Sequence, residues 1–355
     1  MKTNKARIQH DLEVLATYTS TPGHGVTRSS YSKEDKMAKE YLKEEMKKLG
    51  IQIYEDGFGT LFGRKEGKLK DAPVVMFGSH YDSVVNGGAF DGAAGSVAAL
   101  ETMRVLHECG YENDYPLELI LMNAEEGATF GPCTGVSNSR AMVGTMTMGE
   151  LETVKNRFGQ TKLEAMKEYG LVPDLESAKR APGSIKNFVE MHVEQGPVLD
   201  AKNIEIGLVD CIVGIQRYMV TVNGRADHAG TTPMDMRLDA VDAATKVISK
   251  IPDWAREKAD GTVATIGYIN TIPGGMNIVA EKCEFTVDIR SKSNDNINDI
   301  ANRIRAALDR EVKAMGGSYD IDTKLVIEPV MLDEGMLDIM EEDCKARGYS
   351  YMRLP

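Results

Sequence analysis

The sequence predicts an α/β protein in two parts: a mixed-sheet, three-layer domain and, inserted into it, a ferredoxin-like α+β domain. In the first third, near-continuous apolar segments of strand length alternate with helical stripes, the pattern of a sheet covered on both faces. From about residue 212 to 328 the order becomes β-α-β-β-α-β, the split βαβ sandwich that folds as a unit. The chain then returns to a helix and a strand. The larger domain is therefore expected over 1–211 plus 329–355, and the insertion over 212–328.

The elements follow in order. Residues 3–18 set Ile8, Leu12 and Leu15 on one helical stripe. Ser32-Lys33-Glu34-Asp35 reads as a capping box, and Met37, Tyr41, Leu42, Met46 and Leu49 follow at helical spacing until Gly50. Segments 51–54, 74–77 and 117–122 read as strands, with a helix over 92–107. Segment 188–193 (FVEMHV) reads as a further strand of the buried kind. In the insertion, 217–222, 263–269, 284–289 and 319–327 read as strands, and 238–251 and 297–315 as helices. Leu332, Met336, Leu337, Met340 and Cys344 form a last stripe closed by Gly348, ahead of a strand-like 349–354.

At 355 residues the chain is long enough for two compact units. Lys and Arg number 42 against 54 Asp and Glu, a formal charge of −12. A field of that sign repels phosphate backbones and argues against a nucleic-acid partner. No window approaches the ~20 apolar residues of a membrane helix, and no membrane association is expected. The N-terminus lacks an apolar core and a small-residue cleavage site, so no export signal is read. Five scattered cysteines (Cys109, Cys133, Cys211, Cys283, Cys344) without a C-x-x-C pair predict reduced thiols and a cytoplasmic location. The 20 methionines read as adaptable core filler.

Three strand ends carry chemistry. His80 stands where an apolar strand runs out, the place where open α/β sheets bind ligands. Asp82, two residues on, is expected to accept the second imidazole N–H and fix the tautomer. Asp91 follows a glycine-rich loop at the start of a helix; that loop has no phosphate-binding pattern. Glu125 and Glu126 end another apolar strand. One of two adjacent carboxylates can ligate a metal while the other reaches a water, a division suited to hydrolysis. In 190–197, period-two alternation would set Glu190, His192 and Glu194 on one strand face. Singly, each cluster reads as well as a structural histidine or a solvated acidic turn; together they point to metal-assisted chemistry.

These segments resemble the hydantoinase/carbamoylase group of amidases within the M20 metallopeptidase-like hydrolases. That group includes N-carbamoyl-L-amino acid hydrolases, allantoate amidohydrolases and β-ureidopropionases. The likeness runs in order through GSHYDSV, NGGAFDG, NAEEG, TFG, HVEQGPVLD, GRADHAGTTPMDMRLDA and MNIVAEKCEFTVDIRS. It implies that the larger domain is catalytic and metal-binding, and that the insertion is a lid and dimerisation domain. It further implies two divalent ions per subunit, Zn, Mn, Co or Ni. His80 and His192 would hold one and Glu126 the other, with Asp91 between them. Glu125 would be the general base. Gln195, His228, Asn277 and Arg290 would bind substrate, Arg290 through a bidentate pair with the α-carboxylate. In relatives His228 and Asn277 reach into the partner's site, so a homodimer is implied. The implied reaction cleaves the linear C–N amide bond of a small ureido acid, releasing ammonia and carbon dioxide; an allantoate amidohydrolase would use the same residues.

Two departures qualify the expectation. Relatives often carry Arg where this chain has Thr129, so substrate contacts in that loop are expected to differ. The family's Gly-His-Asp segment, and a later Ser-His that completes the second ion site, would follow Pro355. A chain that stops there is expected to hold the second ion weakly, with a non-catalytic binding or dimerising protein as the alternative.

Overall fold

The computed structural model describes residues 1–127, 129–130 and 135–355 and divides into two compact units, Met1–Gln195 and Gly196–Pro355. The first unit opens with α1 (Lys5–Thr17) and α2 (Lys33–Lys47), followed by β1 (Gln52–Glu55), β2 (Leu61–Lys65), β3 (Val74–His80), α3 (Ala93–Glu108) and β4 (Leu117–Met122). Four short helices, α4 (Ser137–Met142), α5 (Met148–Thr153), α6 (Lys162–Tyr169) and α7 (Leu175–Ala178), precede β5 (Ile185–Val189).

The five strands form one sheet in the order β1-β2-β4-β3-β5, antiparallel at the β1 side and parallel across β4-β3-β5. This is the expected mixed sheet. β4 is buried along its whole length, as a strand covered on both faces requires, and its one charged residue, Glu118, is paired with Arg64, Arg180 and Tyr54. Leu119 and Leu121 join Leu15, Leu42, Met46 and Leu100 in the core beneath α1–α3, while Ile120 and Met122 join Phe62 and Met76 on the other face. A buried ionic cluster locks the three helices together: Arg104 pairs with Asp11 and Glu45, and Arg7 with Glu101. Arg28, also buried, spends its guanidinium on the carbonyls of Leu15, Tyr18 and Tyr81.

Three local expectations are corrected. The capping box at Ser32 is only half formed. Its hydroxyl accepts from the Asp35 N–H at 3.2 Å, but Asp35 turns inward instead of reaching back, and burial pushes its carboxyl up to about 7. The strand expected over 188–193 ends at Val189, because β5 pairs with β3 only from Val74 to Phe77 and the ladder then runs out. Strand β2 escaped the sequence pattern: it is five residues long with a glycine at its centre, where a Cβ on Gly63 would meet Met46 at 2.5 Å.

The second unit contains α8 (Val198–Lys202), β6 (Ile206–Val209), β7 (Cys211–Ile212), β8 (Gly214–Asn223), β9 (Asp227–His228), α9 (Ala240–Ile248), α10 (Ile251–Arg256), β10 (Val263–Thr265), β11 (Ile269–Ile272), β12 (Ile278–Val279), β13 (Lys282–Ser291), α11 (Asn294–Ala314), β14 (Ser318–Ile327), β15 (Val330–Met331), α12 (Glu334–Arg347) and β16 (Tyr351–Leu354). Its main sheet runs β10-β13-β8-β14, all antiparallel, with β11 also on β13. Helices α9 and α11 supply Ala243, Val247, Ile300, Ile304 and Leu308 to a core with Val220, Phe285 and Val287. Trp254, the one tryptophan of the sequence, packs partly buried against that core.

The helix expected over 238–251 is two helices, the first capped by Asp239, which accepts from the N–H groups of Val241 and Asp242. The strand expected over 263–269 is likewise two, β10 and β11. Strand β16 adds in parallel to β6, and Gly348 ends α12 in a left-handed turn, as read from the sequence. Among the described residues no helix is long and apolar enough to cross a membrane. Cys109, Cys211, Cys283 and Cys344 are free thiols; Cys133 lies outside the described residues.

Candidate metal centre

β3 and β4 run parallel and end side by side, His80 opposite Met122, so the parallel register alone brings His80 toward the loop that carries Glu125 and Glu126. The His80 ring is buried, at 3% exposure. Its Nε2 lies 3.3 Å from Nε2 of His192, 3.8 Å from Glu125 Oε2 and 3.9 Å from Asp91 Oδ1. His192 Nε2 is 3.3 Å from the same Asp91 oxygen. Two sets of donors emerge, each within 4.8 Å: His80 with Asp91 and His192, and His80 with Glu125 and Glu126. His80 belongs to both. Sequence reasoning named all five residues; the structure gathers them.

The remaining geometry differs in detail from expectation. The nearest acceptor for His80 Nδ1 is the Asp82 backbone carbonyl, at 3.1 Å; the Asp82 carboxylate is at 3.5 Å. Either acceptor takes a proton from Nδ1, and Nε2 faces Asp91, Glu125 and His192. The Asp82 carboxylate instead accepts from the N–H groups of Glu125 and Glu126, at 3.2 and 3.1 Å, and from Ser30 Oγ at 3.0 Å. It therefore positions the acidic pair more than the imidazole. His192 Nδ1 donates to the Val193 carbonyl at 2.9 Å. Glu190 accepts from Ser79 Oγ at 2.5 Å, so it braces the strand end; because β5 ends at Val189, strand alternation does not govern Glu190, His192 and Glu194.

Backbone shape also serves the site. Gly92 has φ +61°, and a Cβ there would sit 2.3 Å from the His80 ring. Only glycine lets the start of α3, just after Asp91, approach so closely. Ala124, Val136 and Gln195 are also left-handed, at φ 55°, 51° and 57°. For a β-branched residue such as Val136 that conformation is strained, and strain of this kind gathers around functional sites. These residues carried no sequence signal.

The electrostatics favour a cation. Burial first, and then the neighbouring Glu125, push Glu126 up to about 7. Burial likewise pushes Glu125 upward. Burial opposes a charged His80, yet Asp82, Glu125 and Glu126 carry it up to about 9. The cluster draws in positive charge wherever it can find it. Two imidazoles and three carboxylates are also the donor types of Zn, Mn, Co and Ni. The residues present fit a metal centre.

The other expected site residues are placed as follows. Gln195 donates its amide to both Asp91 oxygens, at 3.0 and 2.8 Å. In the second unit, His228 and Asn277 line one hollow of about 610 Å³ beside Pro273 and Ile278. Arg290 forms a fork with Asp288, at 2.9 and 3.2 Å, and Arg217 joins from the other side at 2.7 Å. Burial works against that carboxylate, but the two guanidiniums hold it below its usual range. Arg237 donates to the carbonyls of Thr232 and Ala229 and shapes the turn after His228. Thr129 Oγ1 accepts from the Ser30 N–H at 3.3 Å; Ala128 and Gly131 beside it are outside the described residues.

Comparison with known proteins agrees with this geometry. Residues 59–168 match the peptidase family M28 model, and residues 212–315 match the peptidase dimerisation domain of the M20 type. The chain is 38% identical to the N-carbamoyl-L-amino-acid amidohydrolase of Paenarthrobacter aurescens, over 99% of this chain and 84% of that protein. It is 37% identical to the enzyme of the same name from Geobacillus stearothermophilus, over 98% and 85%. The crystal structure of an amidase of the hydantoinase/carbamoylase family from Burkholderia multivorans superimposes with a TM-score of 0.92 at 29% identity, covering 99% of this chain and 85% of that one. The chain belongs to the hydantoinase/carbamoylase family of amidases. Within this amidase, the candidate ligands His80, Asp91, Glu125 and Glu126 lie in the part matched to the peptidase family, while His192 follows β5. The stretch matched to the dimerisation domain is the core of the second unit.

Proposed function

We propose that this amidase hydrolyses the linear C–N bond of an N-carbamoyl amino acid, with one water consumed and ammonia, carbon dioxide and the free amino acid released. The observation that carries the reading is the gathering of His192, Asp91, Glu125 and Glu126 around one buried imidazole, His80. In this reading His80 and His192 would hold one divalent ion and Glu126 the other, with Asp91 contributing to both. When bound, such ions supply Lewis acidity, polarising the carbamoyl carbonyl and acidifying water. Glu125 takes a proton from the attacking water and passes it to the leaving nitrogen. Burial that raises its carboxyl brings it nearer the range in which a general base works. Asp82 sets the height of both acidic residues through their N–H groups. Gln195 steadies Asp91 and stands ready for the substrate.

The reading extends to the second unit. His228, Asn277 and Arg290 are assigned to substrate binding by the family resemblance, and a homodimer through residues 212–328 is supported by the dimerisation-domain match. Residues 1–211 with 329–355 are read as the catalytic domain. A cytoplasmic location is supported by the four free thiols.

The test is ammonia release from N-carbamoyl-L-amino acids, N-carbamoyl-β-alanine and allantoate, after chelation and with Zn, Mn, Co or Ni added back. Release from a carbamoyl amino acid with metal, and none without, is expected. Preference for allantoate would reassign the substrate, and silence with every metal would sink the hydrolase reading in favour of a binding or dimerising protein. Arg290→Ala is expected to lower kcat/KM about 10- to 100-fold for acids with a free α-carboxylate, the range of a charge-assisted bidentate pair. The matching amides should change little. An equal loss on both would remove Arg290 from substrate recognition.

A further inference from the structure

Lys162 is a buried lysine that the reaction does not use. It is 3% exposed, and among the described residues no carboxylate lies within ion-pair distance of it. Its Nζ donates to Ser137 Oγ at 2.6 Å and sits 5.2 Å from the centre of the Phe130 ring. Glu150, the nearest carboxylate in kind, is engaged by Arg140 at 2.7 Å. Burial and then Arg140 push the Lys162 ammonium down to about 8. A buried charge whose described partners are one hydroxyl and one aromatic ring, with no carboxylate, costs stability, so it needs a reason to be there.

Ser137 supplies that reason. The chain leaves β4, turns through left-handed Ala124, presents Glu125 and Glu126, and returns through left-handed Val136 to Ser137. Two backbone bonds shut the loop: Ser137 N–H to the Ala124 carbonyl at 3.0 Å, and Val136 N–H to the Glu125 carbonyl at 2.6 Å. Strained residues at both ends of such a loop persist only if their surroundings over-determine them. Asp82 grips the loop from one side, and Lys162 grips its closing residue from the other.

We propose that Lys162 is a positioning residue for the metal centre, clamping Ser137 so that the loop closes with Glu125 and Glu126 at the height the ions require. This deepens the metal-site reading above and rests on it. Groups hydrogen-bonded directly to metal ligands typically govern about 10- to 100-fold in metal affinity; Lys162 acts at a further remove, through Ser137, so the low end of that range is expected.

The test is calorimetric titration of Mn²⁺ into the chelator-stripped full chain, with thermal unfolding of the metal-free protein beside it. Lys162→Met should raise the Mn²⁺ Kd about tenfold. The unfolding temperature should stay level or rise, since an unpaired buried charge is gone. Opposite or independent movement of the two readouts is the signature; a Kd within twofold of the parent, or a rise in Kd matched by a falling unfolding temperature, overturns the proposal. Ser137→Ala, which removes the clamped oxygen, should raise Kd as well, and the double variant should be no worse than the weaker-binding single. Multiplied effects in the double variant would also overturn it. A parent that binds none of Mn²⁺, Zn²⁺, Co²⁺ or Ni²⁺ overturns the metal-centre reading itself. A parent that binds while Lys162→Met binds equally well overturns only the clamp.

Discussion

Glu125→Gln should cut turnover by about 10³-fold while leaving the metal content of the protein unchanged. A positioned general base contributes typically 10²–10⁴-fold, and glutamine keeps the shape of the side chain but accepts no proton at this pH. The substitution decides between two roles that the geometry leaves adjacent. Glu125 lies 3.8 Å from His80 Nε2 and belongs to the same donor set as Glu126. If it were a ligand, glutamine would weaken the ion and metal would be lost in step with activity. If it is the base, metal counted by atomic emission stays level and only turnover falls. Metal loss in parallel with activity would exchange its assignment with that of Glu126.

His80→Ala should strip the ion it is assigned to share with His192 and loosen the other, whose acidic neighbours surround the same imidazole. The imidazole is the one donor common to both sets, whereas His192 belongs to one. After dialysis, His80→Ala is expected to retain at most one ion per chain and to show no ammonia release, and His192→Ala likewise keeps at most one. The loss should resist repair by added metal, because one ion loses an imidazole and the ring packed against Gly92 is gone. A His80→Ala protein with two ions bound would break the two-set description of the centre.

Much of this was readable from the chain. The positions of His80 and of Glu125-Glu126 at the ends of apolar runs predicted their convergence, since parallel strands deliver their C-terminal ends to one edge. The βαββαβ order of the second unit followed from periodicity alone, because α11 and β13 each bury one clean face. The misses have physical causes. Alternation in 188–193 cannot reveal that β5 exhausts its hydrogen-bonding partner at Phe77, after which the chain is free to turn and bring His192 to Asp91. Nor can spacing tell a carbonyl from a carboxylate as the acceptor behind His80, since both belong to Asp82. The short helices of 137–178 did leave a signal: Thr147 with Glu150 and Thr161 with Glu164 form complete capping boxes. Lys162 left none, because a buried lysine and a solvated one look alike in sequence.

The location of Trp254 sets what optical spectroscopy can see in this molecule. Its indole rests on the second unit's core, and the unit that carries the candidate ligands has no indole at all. Emission excited at the red edge therefore reports the surroundings of the second unit's core, and a signal from the candidate metal centre has to come from another probe.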